Sequence, residues 1–480
     1  MDRPSREGPN GEESASPVNL DKAGHQMSTE QVELPLETRG AAPTSQRSGE
    51  AASAVLGPDS SGLRDPRLME RIVEGGNLAS ALQRVRANKG SPGVDGRTVN
   101  DLVVDLRNHW SMVREQLLTG RYQPSVVKRV EIPKPDGGVR LLGIPSVLDR
   151  FIQQAVLQVL QPHIDPTFST FSYGFRPGRS AHDAIRQAQR YVQEDRHWVV
   201  DVDLAQFFDC VNHDILMGKL AQRITDTRVL TLVRRYLEAG IMAAGVVMER
   251  HEGTPQGGPL SPLLANVLLD GVDRELERRG LAFVRYADDC NVYVGSKRAA
   301  DRVMACLVSL YATLKLQINP TKSAVAPVVN RPFLGYRFWR VERGRLVKRG
   351  VSLKALAALK ARVREITSRS RGWSFTEVVR ELCSYLRGWK AYFRLAETPT
   401  ELKTLDGWIR RRLRLLLVVQ CKHGPTLFRV LRARGLSQLE AALTARHCRR
   451  WWMTAGHPVL HAAYPVSYFD DVGLPRLSTL

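Results

Sequence analysis

Three carboxylates carry the chemistry of this sequence. Asp288 and Asp289 are adjacent, and Asp203 follows the largely apolar run Trp198–Val202. Like-charged carboxylates held close together repel, and protonation or a bound cation relieves that cost. Hard divalent ions such as magnesium prefer carboxylate oxygen. Two such ions about 3.5–4 Å apart can stabilise the attacking and the leaving oxygen of a phosphoryl transfer. Adjacent aspartates are also ordinary turn residues, because Asp favours turns for reasons of its own.

The elements that must position these groups are legible from residue periodicity. Residues 198–203 read as a buried strand ending in carboxylates. Residues 283–286 and 291–294 read as two strands flanking Ala287, Asp288, Asp289 and Cys290. Asp201 shares a strand face with Asp203 by the period of two, and Asp209 lies close by in sequence. Residues 126–133 alternate as a strand, Pro135–Gly138 is a hairpin-turn signal, and residues 139–144 can return as the partner strand. Leu68, Met69, Ile72, Val73, Leu78, Leu82 and Val85 recur at helical spacing. Turn residues over 90–96 break that run, and helices are predicted over 100–118, 148–160 and 182–193. From about residue 350 the pattern is helical and basic. The fold class is therefore α+β with helical additions at the C-terminal end, and there is no internal repeat.

The chain has 480 residues, 43% of them hydrophobic, a formal net charge of +21 and a pI of about 10.1. The charge is unevenly placed: residues 1–65 carry −5, residues 66–330 carry +6 and residues 331–480 carry +20. Such an excess in the last third favours a polyanionic partner, since each phosphate contact releases counterions. No two of the six cysteines are spaced as C-x-x-C, which argues against a zinc ribbon. No apolar run approaches the roughly 18–20 residues of a membrane span, so no membrane association is expected. The first residues are acidic and polar, unlike a secretory signal, and a cytoplasmic, reducing location is the expectation. Residues 1–65 are rich in Ser, Gly, Pro and Glu and read as a disordered acidic tail. Met27 lies within it, so a later start of translation is compatible with the sequence.

Tyr286-Ala287-Asp288-Asp289 resembles the signature tetrapeptide of reverse transcriptases, and residues 203–209 resemble their first carboxylate motif. Residues 254–262 resemble the loop that packs beneath the incoming nucleotide, and residues 132–140 the fingers hairpin. Residues 171–179 resemble another block of the branch encoded in bacterial group II introns. Residues 331–339 and 386–393 look like the maturase-specific region that follows it. The similarity runs from about residue 68 to the C-terminus, in the family's order.

The resemblance implies a right-hand polymerase of fingers, palm and thumb, with an antiparallel palm sheet. It implies a disordered tail over 1–65, an N-terminal extension over 66–113 and fingers and palm over 114–339. A thumb or maturase region over 340–415 and a small basic DNA-binding segment over 416–480 would follow. Asp203, Asp288 and Asp289 would be catalytic and would bind two Mg2+ ions, with the backbone carbonyl of Leu204 as a further ligand. Lys134 and Arg140 would hold triphosphate oxygens, with exposed hairpin charge as the competing account of both. Phe208 stands where the family places an aromatic under the sugar, a position that core packing would also explain. Gln256 would orient the nucleotide, with the neighbouring glycines letting backbone approach it. Arg410, Arg411, Arg412, Arg414, Arg449 and Arg450, interleaved with Trp451 and Trp452, would bind nucleic acid by neutralising phosphates and stacking on bases. Helix packing is the competing account of the two tryptophans.

The implied partners are a host group II intron RNA, an RNA template with its DNA primer, target DNA and deoxynucleoside triphosphates. The larger family members end in an endonuclease domain with paired cysteines. This sequence has no such constellation, so it is expected not to nick DNA and to need an existing 3′ end. Two alternatives stand beside this reading: a splicing cofactor that does not polymerise, and a reverse transcriptase domesticated for defence or repair.

Overall fold

The computed structural model describes residues 63–133, 139–243, 246–248, 252–254, 257–341 and 346–479. All of them belong to the unit Ala51–Leu480, one of the two into which the chain divides. Ten strands are present among the described residues: β1 (Val127–Pro133), β2 (Val139–Ile144), β3 (Trp198–Val202), β4 (Ile241–Ala243), β5 (Val246–Met248), β6 (Ala282–Tyr286), β7 (Asp289–Val294), β8 (Ala324–Pro327), β9 (Tyr336–Arg340) and β10 (Val347–Val351). They form a four-stranded sheet in the order β2-β1-β4-β5, a second in the order β6-β7-β3-β8, and the two-stranded pair β9–β10. The β6-β7-β3-β8 sheet is antiparallel throughout. The chain is thus a mixed helix-and-sheet fold with an α+β arrangement.

Period-two alternation sorts the β6-β7-β3-β8 sheet into two faces. Val199 and Tyr293 face one side, where they join the buried cluster that includes Ile185, Ala188, Tyr336 and Phe338. Val200, Val202, Cys290 and Val292 face the other and are fully buried, on the side of Lys297–Thr313 with its inward Val303, Leu307 and Tyr311. The helix Ala181–Gln193 covers the first face. It begins at a capping box: Ser180 accepts from the Asp183 amide while the Asp183 carboxylate accepts from the Ser180 amide at 3.0 Å.

The strands expected over 126–133 and 139–144 are present and pair antiparallel as β1–β2, with Lys128 opposite Ile144; the turn expected over 135–138 lies outside the described residues. The apolar run that begins at Leu68 forms two helices, Leu68–Ile72 and Gly75–Asn88, divided at Val73 and Glu74. The pair β9–β10 and the edge strand β8 carry no strong alternation in sequence.

Helices occupy most of the chain beyond residue 353, and their inner faces (Leu382, Leu386, Leu413 and Leu431), with Leu477 after the last helix, extend the same apolar cluster. The Asp406 carboxylate accepts the backbone amides of Leu477 and Ser478 at 2.8 and 3.0 Å, which fastens the end of the chain to Pro399–Gln420. Two expected domain boundaries, after residues 113 and 415, fall inside the continuous helices Asp101–Leu118 and Pro399–Gln420.

Candidate functional site

The three carboxylates meet at one end of the β6-β7-β3-β8 sheet. Val202 pairs with Cys290 at the last rung between β3 and β7. The next residues along, Asp203 and Asp289, therefore face each other. Tyr286 pairs with Asp289 across the β6–β7 hairpin, leaving only Ala287 and Asp288 as its turn. Asp289 is thus the first residue of a strand, and the turn is tighter than the sequence suggests.

Ala287 has φ 60°, a position for which glycine is the usual occupant of a two-residue turn. A left-handed alanine costs roughly 1–2 kcal/mol, so its surroundings must impose it. Gly174 packs so closely beneath the turn that a Cβ there would lie 2.2 Å from the Ala287 nitrogen. Arg285 donates to the Ala287 carbonyl at 2.9 Å and to Asn266 Oδ1 at 2.9 Å. Asn266 in turn donates to the Gly174 carbonyl at 2.9 Å. The segment 171–173 exchanges backbone hydrogen bonds with Arg285: the Tyr173 amide donates to its carbonyl, and its amide donates to Phe171. Residues 171–173 therefore act as an added edge to β6.

Asp203 is fixed by its backbone. Its amide donates to Ser323 Oγ at 2.9 Å, and its carbonyl accepts the Asn319 amide at 2.9 Å. Leu204 is buried and bridges to Ile318. Lys322 Nζ lies 3.5 Å from the Asp203 carboxylate. Asp201, on the same face, is committed elsewhere: it accepts from Arg331 Nε at 2.8 Å and, with the amide suitably oriented, from Asn291 at 2.8 Å. The sequence offered no signal for Lys322 and Ser323, whereas Gly174 and Arg331 lay inside quoted motif blocks without a role.

Burial, then the charges of Asp288, Asp203 and Asp201, push the Asp289 carboxyl up to about 7, against the pull of Lys322. Burial also raises Asp201, opposed by Arg331. A carboxylate so disfavoured as an anion suits a cation beside it, and oxygen donors suit magnesium. Among the described residues no group of three or more His, Cys, Asp or Glu side chains is gathered as a metal cage. Magnesium is commonly held by one or two carboxylates, with waters and substrate phosphates completing its shell, so the donor set fits that ion.

A cavity of about 540 Å3 is lined by Phe208, Phe175, Gly257 and Gly258 among others. Phe175 directly follows Gly174 and is itself at φ 59°, so one short segment serves both the turn and the cavity. Phe208 is half-buried and meets Phe207 edge-on at 5.1 Å. Its carbonyl accepts the Thr254 amide at 2.6 Å. The glycines of the loop also serve the packing of the fold. A Cβ at Gly257 would lie 2.4 Å from the Gly143 carbonyl, and one at Gly258 would lie 2.4 Å from Gln153 Oε1. They admit the close approach of β2 and of the helix Val147–Ile164. Lys134, Gln256 and the side chain of Arg140 lie outside the described residues.

The basic residues of the C-terminal helices divide. Arg449 and Arg450 are exposed. Arg410 is half-buried, Arg411 donates to the Trp452 carbonyl at 2.8 Å, and Arg412 donates to Thr367 Oγ1 at 3.0 Å. Arg414 corrects the sequence reading: it is 3% exposed, donates to the Tyr464 carbonyl at 2.9 Å and lies over the Phe469 ring. It joins helices and is withdrawn from solvent.

Residues 132–338 match the family described as reverse transcriptase (RNA-dependent DNA polymerase), and residues 356–435 match the group II intron maturase-specific domain. The chain is 36% identical to protein YkfC of Escherichia coli K12 over 321 residues, 58% of this chain and 84% of that one. It is 37% identical over 172 residues to the group II intron-encoded protein LtrA of Lactococcus lactis, spanning 36% of this chain and 28% of LtrA. Nuclear intron maturase 3 of Arabidopsis thaliana is 29% identical over 172 residues, 36% of this chain and 24% of that protein.

Proposed function

The chain belongs to the group II intron family of reverse transcriptases and maturases, and we propose that it copies RNA into DNA and binds a host intron RNA to promote its splicing and mobility. The observation that carries the reading is the register that sets Asp203 against Asp289, with Asp288 at the adjoining turn. Asp203 and Asp288 would hold two magnesium ions, with Asp289 and the Leu204 carbonyl as further ligands. When bound, those ions supply the charge that favours the attacking 3′-oxygen of the primer and the departing pyrophosphate. Arg285, Asn266 and Gly174 hold the turn in the one conformation that presents Asp288 beside Asp289. Lys322 is placed to neutralise part of the negative charge around Asp203.

On this reading the β1–β2 hairpin belongs to the fingers and the β6-β7-β3-β8 sheet to the palm. The helices from residue 353 onward would be the thumb with a nucleic-acid-binding end. Lys134 and Arg140 would meet the triphosphate, Gln256 would orient the nucleotide, and Phe208 would lie under its sugar. The template with its primer, and target DNA, would be further partners.

Primer extension on an RNA template with a DNA primer tests the proposal. Asp288→Asn should reduce DNA synthesis below detection while binding of the intron RNA persists. Near-normal synthesis by that variant removes the site assignment. A wild-type chain that binds intron RNA but extends no primer is a splicing cofactor alone. A gene without a surrounding catalytic intron RNA would point to a domesticated role.

A further inference from the structure

The C-terminal helices line a second, open cavity of about 790 Å3, whose lining includes Arg364, Arg369, Arg412, Arg450, Trp451 and Trp452. Its wall comes from three places: the end of Leu353–Ile366 with the turn that follows, one side of Pro399–Gln420, and the short helix Trp451–Ala455. Four guanidiniums converge here, and among the described residues none of them is ion-paired. The nearby Glu365 is already engaged by Arg362 at 2.7 Å and Arg371 at 3.8 Å. Burial, then Arg364 and Arg369, lowers the Arg412 guanidinium from its ordinary range. Converging cations without a counter-charge call for an anion, and guanidiniums match phosphate geometry.

The rings add a second requirement. Arg369 lies over Trp451 at 4.4 Å and Arg411 over Trp452 at 4.1 Å, so each indole is braced by a guanidinium. Both rings remain well exposed, at 37% and 40%. An aromatic face beside cations suits a nucleobase with its phosphate, because base–aromatic stacking tolerates any base. A base inside a duplex is already stacked, so only an unpaired one can reach such a ring.

We propose that this cavity receives one unpaired nucleotide of RNA, with its phosphate on the guanidiniums and its base against Trp451 or Trp452. Arg364, Ser368, Arg369, Arg412 and Leu415 lie in the segment matched to the maturase-specific domain, which favours RNA over a DNA strand. The inference rests on the RNA-binding function proposed above and deepens it by naming the element of RNA that is recognised.

The test uses the full chain and three probes. These are an RNA hairpin with 2-aminopurine in an unpaired loop, the blunt RNA duplex of the same stem, and the same hairpin in DNA. Wild type should quench the 2-aminopurine on binding. Trp451→Ala or Trp452→Ala, at whichever ring takes the base, should weaken hairpin binding about ten-fold and abolish quenching, with little change for the duplex, and Trp451→Phe or Trp452→Phe at that ring should restore most of both. Arg450→Gln, at an exposed position, should weaken the hairpin and flatten its salt dependence without altering the melting temperature. Trp452→Ala joins the series because the base can lie on either ring. Undiminished quenching in the Trp451/Trp452 double variant, equal losses on hairpin and duplex, or equal ring-dependent binding of the DNA hairpin overturns the proposal. Those outcomes leave the RNA-binding function standing, whereas a wild-type chain that binds no RNA overturns both.

Discussion

Arg285 and Asp273 form an ion pair with neither side chain exposed, at 2.8 Å from Nε and 2.6 Å from Nη2. The same guanidinium donates through Nη1 to the carbonyl of Ala287, the residue before Asp288. A charge pair buried under the sheet therefore also shapes the turn at its end.

Removing one partner of a buried pair costs about 3–5 kcal/mol, while replacing both with apolar residues is often close to neutral. Asp273→Asn should accordingly lower the melting temperature sharply. Arg285→Met with Asp273→Leu should recover much of that stability but leave the Ala287 carbonyl without its donor. Thermal melting and primer extension, measured together, separate the two roles. A stable double variant that synthesises DNA at the wild-type rate would show that the pair serves the fold alone.

Asp201 and Asp203 are two residues apart on one strand face, and their surroundings predict opposite outcomes. Asp201→Asn weakens the pair with Arg331 and should cost about 1–3 kcal/mol, as loss of a hydrogen bond to a charged group does, with a modest loss of activity. Asp203→Asn should abolish DNA synthesis yet leave the melting temperature unchanged or raised, since it relieves repulsion with Asp289. Denaturant melts and single-turnover extension check both, and the same pattern in the two variants would contradict the assignment.

The carboxylate site was legible where local pattern carries it. The strand before Asp203 and the strands around Asp288 and Asp289 follow from apolar runs. What supports them was not legible, because it comes from distant sequence. Ser323 and Lys322 reach Asp203 from about 120 residues away, and Asn266 and Asp273 reach Arg285, which holds the turn, from the helix Ser261–Arg278. Periodicity also misses breaks that preserve phase, as at Val73, and strands as short as the four residues of β8. Charge clusters mislead in their own way: Arg414 reads as one more surface cation, yet its helix turns it inward.

Gly174→Ala tests how tightly the turn is seated. The added Cβ would meet backbone at 2.2 Å, which no side-chain movement can relieve. The hairpin tip must shift, and misplacement of reacting groups by about 1 Å can cost roughly 100-fold in rate. Primer extension should fall by about that factor with binding of template–primer retained. Wild-type kcat in Gly174→Ala would mean the turn tolerates displacement.

Arg414 and the pair Arg449 and Arg450 should respond differently to neutralisation. Arg414→Gln removes hydrogen bonds to the Tyr464 carbonyl and should lower stability by about 1.5–3 kcal/mol, with no change in the salt slope of RNA binding. Arg449→Gln with Arg450→Gln should leave the melting temperature in place. If each contacts one phosphate, the slope should fall by about 0.7 per contact on single strands. Filter binding across a salt series reads this directly. A flattened slope in Arg414→Gln would mean that the residue leaves its buried position to meet the ligand.

Sugar selection offers the sharpest test of the Phe208 cavity. Deoxy- and ribonucleotides differ by one hydroxyl, which a protein can reject by hydrogen bonding or by bulk. Phe208 has no polar group to offer, and its ring is braced edge-on by the buried Phe207. Its backbone is held as well, by the Thr254 amide. With the ring held against Phe207 and its backbone held by Thr254, overlap with a 2′-hydroxyl would persist as a clash. Each ~1.4 kcal/mol of that clash is tenfold in rate. Phe208→Val should therefore raise ribonucleotide incorporation by orders of magnitude, with a smaller loss for deoxynucleotides. The measurement is kcat/KM for both nucleotide types on one primer–template, because their ratio is the discrimination. Equal falls in both would make Phe208 a packing residue, braced for the sake of the fold, and would move sugar selection to another wall of the cavity.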